Sequence, residues 1–155
     1  MSEWFDRPDS RGQGPGSGPG LRFTCTMCGN CCTGPEGYVL FTPEEGERIA
    51  RRLRISTADF LDRFTHETEM GRSLQEVRTE HGLDCVFLDR AAVPGRAVCG
   101  IYDQRPAQCR TWPFWASNLS GPRAWTRAGR TCPGINRGQL VPPEQIRILR
   151  DRVQM

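Results

Sequence analysis

The 155-residue chain contains no lysine; all 21 of its basic residues are arginine. That removes every chemistry needing a side-chain amine: Schiff-base formation, the lysine of a phosphate loop, a depressed-pKa lysine base. Long apolar runs are missing too, and none approaches the roughly 18 residues of a membrane-crossing helix. Met1–Gly20 lacks the apolar stretch of a secretory signal. The expectation is a soluble, cytoplasmic protein with no membrane partner. A strong charge of one sign is also lacking. The 21 arginines face 18 acidic residues for a net +3, and they are scattered, which argues against a nucleic-acid partner. Histidine is scarce, with only His66 and His81. Each lies among polar residues and away from any cysteine, so both are read as exposed or turn residues. No Ser–His–Asp set, phosphate loop or dinucleotide fingerprint is found.

Cysteine is what the chain has in quantity, with eight residues. In a reducing compartment such clusters hold metal more often than disulfides. The densest signal is Cys25-Thr26-Met27-Cys28-Gly29-Asn30-Cys31-Cys32. A Cys-x2-Cys turn directs two sulfurs at one metal, and a third cysteine at the same spacing wraps the chain round three corners of a cluster. Cys132-Pro133 has the form of the remote fourth ligand of bacterial ferredoxins. Structural zinc sites more often show two separated cysteine pairs. Spacing therefore favours an iron–sulfur cluster, 4Fe-4S, over zinc. All eight cysteines are candidate metal ligands: Cys25, Cys28, Cys31, Cys32, Cys85, Cys99, Cys109 and Cys132. They could form two four-thiolate sites, or one site plus buried structural thiols, the latter an alternative for Cys85 and Cys99. Adjacent side chains diverge, so Cys31 and Cys32 are expected either to serve two neighbouring centres or to leave one thiol free.

Residues 1–20 read as a disordered Gly/Pro-rich tail, Trp4 and Phe5 included, and residues 21–155 as a single cysteine-cluster metal-binding domain. Thr42, Pro43 and Glu45 form a capping box ahead of a helix whose stripe is Ile49, Ala50 and Leu53. Ser56 caps a second helix over 57–64. Leu74–Glu80, Cys85–Leu88 and Ala97–Tyr102 are strand candidates that allow one short antiparallel hairpin. Cys109 lies on a helical turn, 112–125 is irregular and aromatic, and Pro142–Val153 is a last helix. The fold class is α+β, a small irregular domain with three or four short helices, stapled by metal because its core is thin.

The run Cys25–Cys32, then Cys85-Val86-Phe87-Leu88-Asp89, then Cys99-Gly100-Ile101-Tyr102-Asp103-Gln104-Arg105-Pro106-Ala107-Gln108-Cys109-Arg110-Thr111-Trp112-Pro113-Phe114 resembles the CxxCxxCC cysteine-cluster family. That family is described as zinc- or iron-chelating and is often called an iron–sulfur cluster protein. The likeness runs from about Phe23 to Ile135, with Trp112 its small departure. It implies metal binding and little more. Flagellin lysine methylases carry a related cluster in much longer chains, which keeps a redox or methyl-transfer enzyme as the alternative to a binding or electron-transfer module. Near the cysteines in sequence, only Asp103, Arg105 and Arg110 offer polar chemistry. The arginines could offset thiolate charge, or hold the loop by pairing with an acid. Tyr102, Trp112, Phe114 and Trp115 are read mainly as core.

Overall fold

The computed structural model describes residues 2–7, 18–34 and 36–153. In chain order, a 3-10 turn at Trp4–Asp6 precedes β1 (Leu21–Phe23), α1 (Pro43–Leu53) and α2 (Thr57–Phe64). Six short strands follow: β2 (Thr65–Thr68), β3 (Gly71–Leu74), β4 (Glu76–Thr79), β5 (Gly82–Cys85), β6 (Leu88–Asp89) and β7 (Val98–Cys99). Then come α3 (Ala107–Thr111), α4 (Ala116–Leu119), α5 (Pro122–Ala128), β8 (Ile135–Val141) and α6 (Pro143–Asp151). The fold is α+β, with more helices than the three or four expected. Among the described residues the strands form four separate antiparallel pairs, β1–β8, β2–β3, β4–β5 and β6–β7; the last joins the two segments expected to make the short hairpin, and the others add to it. The chain divides into two compact units, one made of residues 1–26 and 111–155, the other of 27–110.

The 27–110 unit starts its first helix as the sequence dictates. Thr42 accepts a hydrogen bond from the Glu45 amide at 3.2 Å, and the Glu45 carboxylate accepts from the Thr42 amide at 2.9 Å. Arg54 ends α1 in the left-handed region, and Ser56 caps α2 through the Asp59 amide at 3.0 Å. The buried stripe Ile49 and Ala50 then meets Phe60, Leu74, Phe87 and Ile101 in one core. Phe64 stacks between Phe60 and Phe87, at 6.3 and 5.3 Å. Cys85, Val86 and Cys99 pack against this core, so the thiol-bearing strands rest on an apolar floor. The strand expected over Cys85–Leu88 is divided, because the chain changes partner there. Cys85 pairs with Glu76 at the end of β5, and Leu88 pairs with Cys99 at the start of β6. Only Val98 and Cys99 of the expected Ala97–Tyr102 strand join a ladder.

The other unit has its own core: Phe5, Leu21, Phe114, Leu119, Trp125, Ala128, Cys132, Ile135 and Ile146. Phe114 stacks on Trp125 at 5.6 Å, and the Trp125 indole donates to Asn136 at 2.9 Å. The segment expected to be irregular thus holds α4 and the start of α5. The Trp4–Asp6 turn departs from the expected disordered tail. Phe5 is 1% exposed, and the Trp4 indole donates to the Leu119 carbonyl at 2.8 Å. Glu3 and Asp6 form ion pairs with Arg147 and Arg150 of α6, which the local composition of a terminus does not reveal. The Gly/Pro-rich stretch 8–17 lies outside the described residues. Truncating the fully buried Phe5 to alanine should cost about 3–5 kcal/mol. Urea denaturation of Phe5→Ala is the check, and an unchanged midpoint would mean that the terminus adds nothing to the core.

Candidate metal centre

In the 27–110 unit, backbone hydrogen bonds fix the cysteine-rich loop before any side chain is considered. The Gly29 carbonyl accepts from the Cys32 amide at 2.9 Å, closing a turn over Asn30 and Cys31. The Cys32 carbonyl accepts from the Cys85 amide at 2.7 Å, and the Gly34 carbonyl accepts from the Leu83 amide at 2.9 Å. Residues 32–34 therefore run alongside β5 in the opposite direction. The Met27 carbonyl accepts from the Ala97 amide at 2.8 Å, which brings the start of the loop to the edge of β7. Gly29 has φ +79°, and a Cβ there would stand 2.7 Å from that of Ala97. Only glycine serves this turn without strain.

Asp84 locks the arrangement and was not anticipated. Its side chain is 5% exposed and is held by the Arg90 guanidinium through two hydrogen bonds, at 2.8 and 3.1 Å. Arg90 also borders Gly29, with Nη1 3.5 Å from where a Cβ would lie. The hydrogen bond from Arg90 is the main reason the Asp84 pKa falls to about 2; those with Thr33 and Thr79 lower it further. The available signal was a lone acid between Leu83 and Cys85 in an otherwise apolar strand, with an arginine six residues on.

These contacts gather thiols from distant parts of the sequence. None of the eight cysteines is joined in a disulfide. The Cys31 and Cys32 sulfurs lie 3.6 Å apart in an S–H···S contact. The two side chains do not diverge as expected, because they leave a closed turn and not an extended strand. Hydrogen bonding to Cys32, followed by burial, pushes the Cys31 thiol well above its usual range. Burial raises Cys85 to about 11, with the negative charge of Cys99 adding to the effect. Burial also raises Cys99 and Cys109, and at Cys109 the charges of Cys85, Cys99 and Cys31 add repulsion. Cys31, Cys85, Cys99 and Cys109 thus feel one another's charge, with Cys32 beside them. Cys28 is half-buried in the same loop and accepts from the Asn30 amide at 3.4 Å. Cys25 and Cys132 belong to the other unit, Cys25 exposed and Cys132 8% exposed within its apolar core. Among the described residues, no three His, Cys, Asp or Glu side chains stand close enough to hold a metal as they are.

The donor set suits a thiophilic metal, since protons now occupy thiols that a cation would let ionise together. Arg105 opposes the repulsion at Cys31, Cys99 and Cys109. It is not held by an acid; its guanidinium lies 3.8 Å from the Tyr102 ring centroid, and its Nε donates to the Tyr102 carbonyl at 3.0 Å. Arg110 donates to the Arg105 and Asp103 carbonyls, and Asp103 pairs with Arg52 at 3.1 Å. Glu45 accepts from the Ala107 amide at 2.6 Å, anchoring the start of the helix that carries Cys109. Tyr102 is 49% exposed and so is not core, whereas Phe114 is buried. His81 is exposed at the β4–β5 turn, while His66 is half-buried in β2 opposite Ser73.

The family model of CxxCxxCC, described as "Putative zinc- or iron-chelating domain", matches residues 24–133, and the chain belongs to this family. No solved structure matches the chain.

The Asp84–Arg90 pair yields a prediction for acid. A depressed carboxylate pKa adds stability above its unfolded value, near 3.8, and loses it as pH falls towards 2. The contribution at neutral pH is about 2 kcal/mol. Arg90→Met should lower stability at pH 7 by at least that amount and flatten the loss between pH 4 and 2. Denaturant titrations across that range read both effects.

Proposed function

Starting from membership of this family, we propose that the chain is a metal-holding module whose donors are the thiolates of the 27–110 unit: Cys28, Cys31, Cys32, Cys85, Cys99 and Cys109. The observation that carries the reading is that Cys85 and Cys99, 14 positions apart, pack on one apolar core beside the loop whose Cys32 carbonyl accepts from the Cys85 amide. Hydrophobic packing alone does not require several mutually repelling acids to share a site. Cys25 and Cys132 are left outside the donor set, Cys132 having a packing role. Zinc would supply a structural cross-link, and an iron–sulfur cluster one-electron transfer.

A binding or electron-transfer role fits better than catalysis. Each polar group near the thiols already has structural work. Asp103 pairs with Arg52, Arg110 binds two carbonyls, and Arg105 is stacked on Tyr102. A positioned acid, base or nucleophile is what an active site would add.

The choice of metal is open to a direct observation. The Cys-x2-Cys-x2-Cys run supports iron–sulfur if Cys25 joins the donors, whereas the close Cys31–Cys32 pair, with Cys25 outside, supports a single ion such as zinc. Protein purified without oxygen will be brown, with broad visible absorbance, if it carries a cluster. It will be colourless with bound zinc if it does not. A sample that takes up neither metal overturns the function proposed. Stripping the metal under reducing conditions should also collapse the near-ultraviolet circular dichroism, because binding free energy in so small a fold is folding free energy. A stripped protein with its thermal midpoint intact would show the metal to be dispensable.

A further inference from the structure

The two units divide the charge unevenly. Residues 1–26 and 111–155 hold ten arginines against five acids, a net +5, whereas residues 27–110 hold eleven against thirteen, a net −2. Such asymmetry between parts of a chain points to an anionic partner for the basic part. Between Thr111 and Pro143 no acid occurs, yet Arg123, Arg127, Arg130 and Arg137 do, and all four are exposed. In α5, Trp125 and Ala128 turn inward to the core, so Arg123 and Arg127, four apart, share the opposite face. Arg130 follows within a turn. The end of the helix meets β8, since a Cβ on Gly129 would stand 3.3 Å from Ile135, and Arg137 lies on the exposed stretch of that strand. The acids of this unit are engaged elsewhere: Glu3, Asp6 and Asp151 pair with Arg147 and Arg150. Among the described residues, none of the four arginines forms an ion pair.

Folding does not account for this face. A cation in the first turn of a helix, as Arg123 is, and like charges four residues apart both oppose helix formation. We propose that the arginine face of α5, extended by Arg130 and Arg137, docks on the phosphate backbone of a nucleic-acid duplex. Guanidinium forks take phosphate oxygens bidentately. Arg123 to Arg130 spans about 10 Å, a length over which a duplex carries about six phosphates. The rest of the face separates this partner from other anions. Among the described residues, no large apolar side chain is exposed on α5 or β8, and Phe114 and Trp125 are buried. An acidic protein would meet an apolar or aromatic core, and a membrane surface an apolar helix face. A single strand would need exposed rings on which to stack. A duplex backbone needs only cations and hydrogen-bond donors. Over the whole chain the arginines are scattered; the division into units leaves the unopposed ones together here.

The test titrates the full chain, under reducing conditions, into a short labelled DNA duplex and reads fluorescence anisotropy. Four phosphate contacts predict an affinity that falls about 100-fold between about 50 and about 200 mM salt, with no dependence on base sequence. Arg127→Gln and Arg130→Gln should each weaken binding and flatten the slope of log affinity against log salt by about one. Arg48→Gln, exposed on α1 of the other unit, should behave like the parent. Arg123→Gln should weaken binding while holding or raising the thermal midpoint, because it relieves the first turn of α5. A purely structural arginine there would lower that midpoint and leave the salt slope alone, and that result overturns the proposal. So does a parent that ignores the duplex at about 50 mM salt, or a slope that none of the α5 variants changes. Tighter binding to the single strand, or to phosphatidylserine vesicles, assigns the face to another partner and also overturns it.

Discussion

Half-buried thiols that feel one another's charge resist ionising together, and Cys85, Cys99 and Cys109 of the 27–110 unit are under that constraint. Burial raises the thiol pKa at Cys85, Cys99 and Cys109 alike, with neighbouring thiols adding to it. Arg105 offers partial relief from one side. With protons on sulfur, Cys85 and Cys99 act as small apolar groups packed against the core. A bound metal would let several of the thiols ionise, and its binding free energy would add to that of folding.

The scaffold answers this constraint by giving up a continuous sheet. Four short strand pairs leave many chain reversals, and the reversals present cysteines at their ends: Cys85 closing β5 and Cys99 closing β7. A long sheet would point successive side chains to opposite faces and separate them. Asp84 illustrates the alternation. It precedes Cys85 in β5 and pairs with Arg90, whose guanidinium borders Gly29 of the cysteine loop.

Local signals in the sequence were read with success where the physics is local. Thr42, Glu45 and Ser56 cap the helices assigned to them, because capping depends on residues three apart. The inventory of thiols was equally legible, and so was the family. What was not legible depends on distant partners. The backbone of the loop that carries Cys31 and Cys32 is held by Cys85, far along the chain, and needs a positive φ at Gly29. Phe5 is buried because Glu3 and Asp6 find Arg147 and Arg150 at the opposite end of the sequence. The β2–β3 hairpin escaped notice because its residues, Thr65–Thr68 and Gly71–Leu74, carry little hydrophobic alternation.

The order of the units along the chain has a consequence for assembly. The chain leaves the first unit after Thr26 and returns to it at Thr111, so the second unit is an insertion within the first. Cys28 and Cys109 lie close to these two crossings in sequence. Bringing together the halves of the first unit requires closing a loop made of the entire insertion, and the entropy lost rises with the length of free chain. A metal held between the cysteine loop and α3 would cross-link that insertion near both ends and shorten the free chain to a few residues. Occupancy of a site in one unit would then favour assembly of the other through chain connectivity alone. The metal would act as a topological clasp.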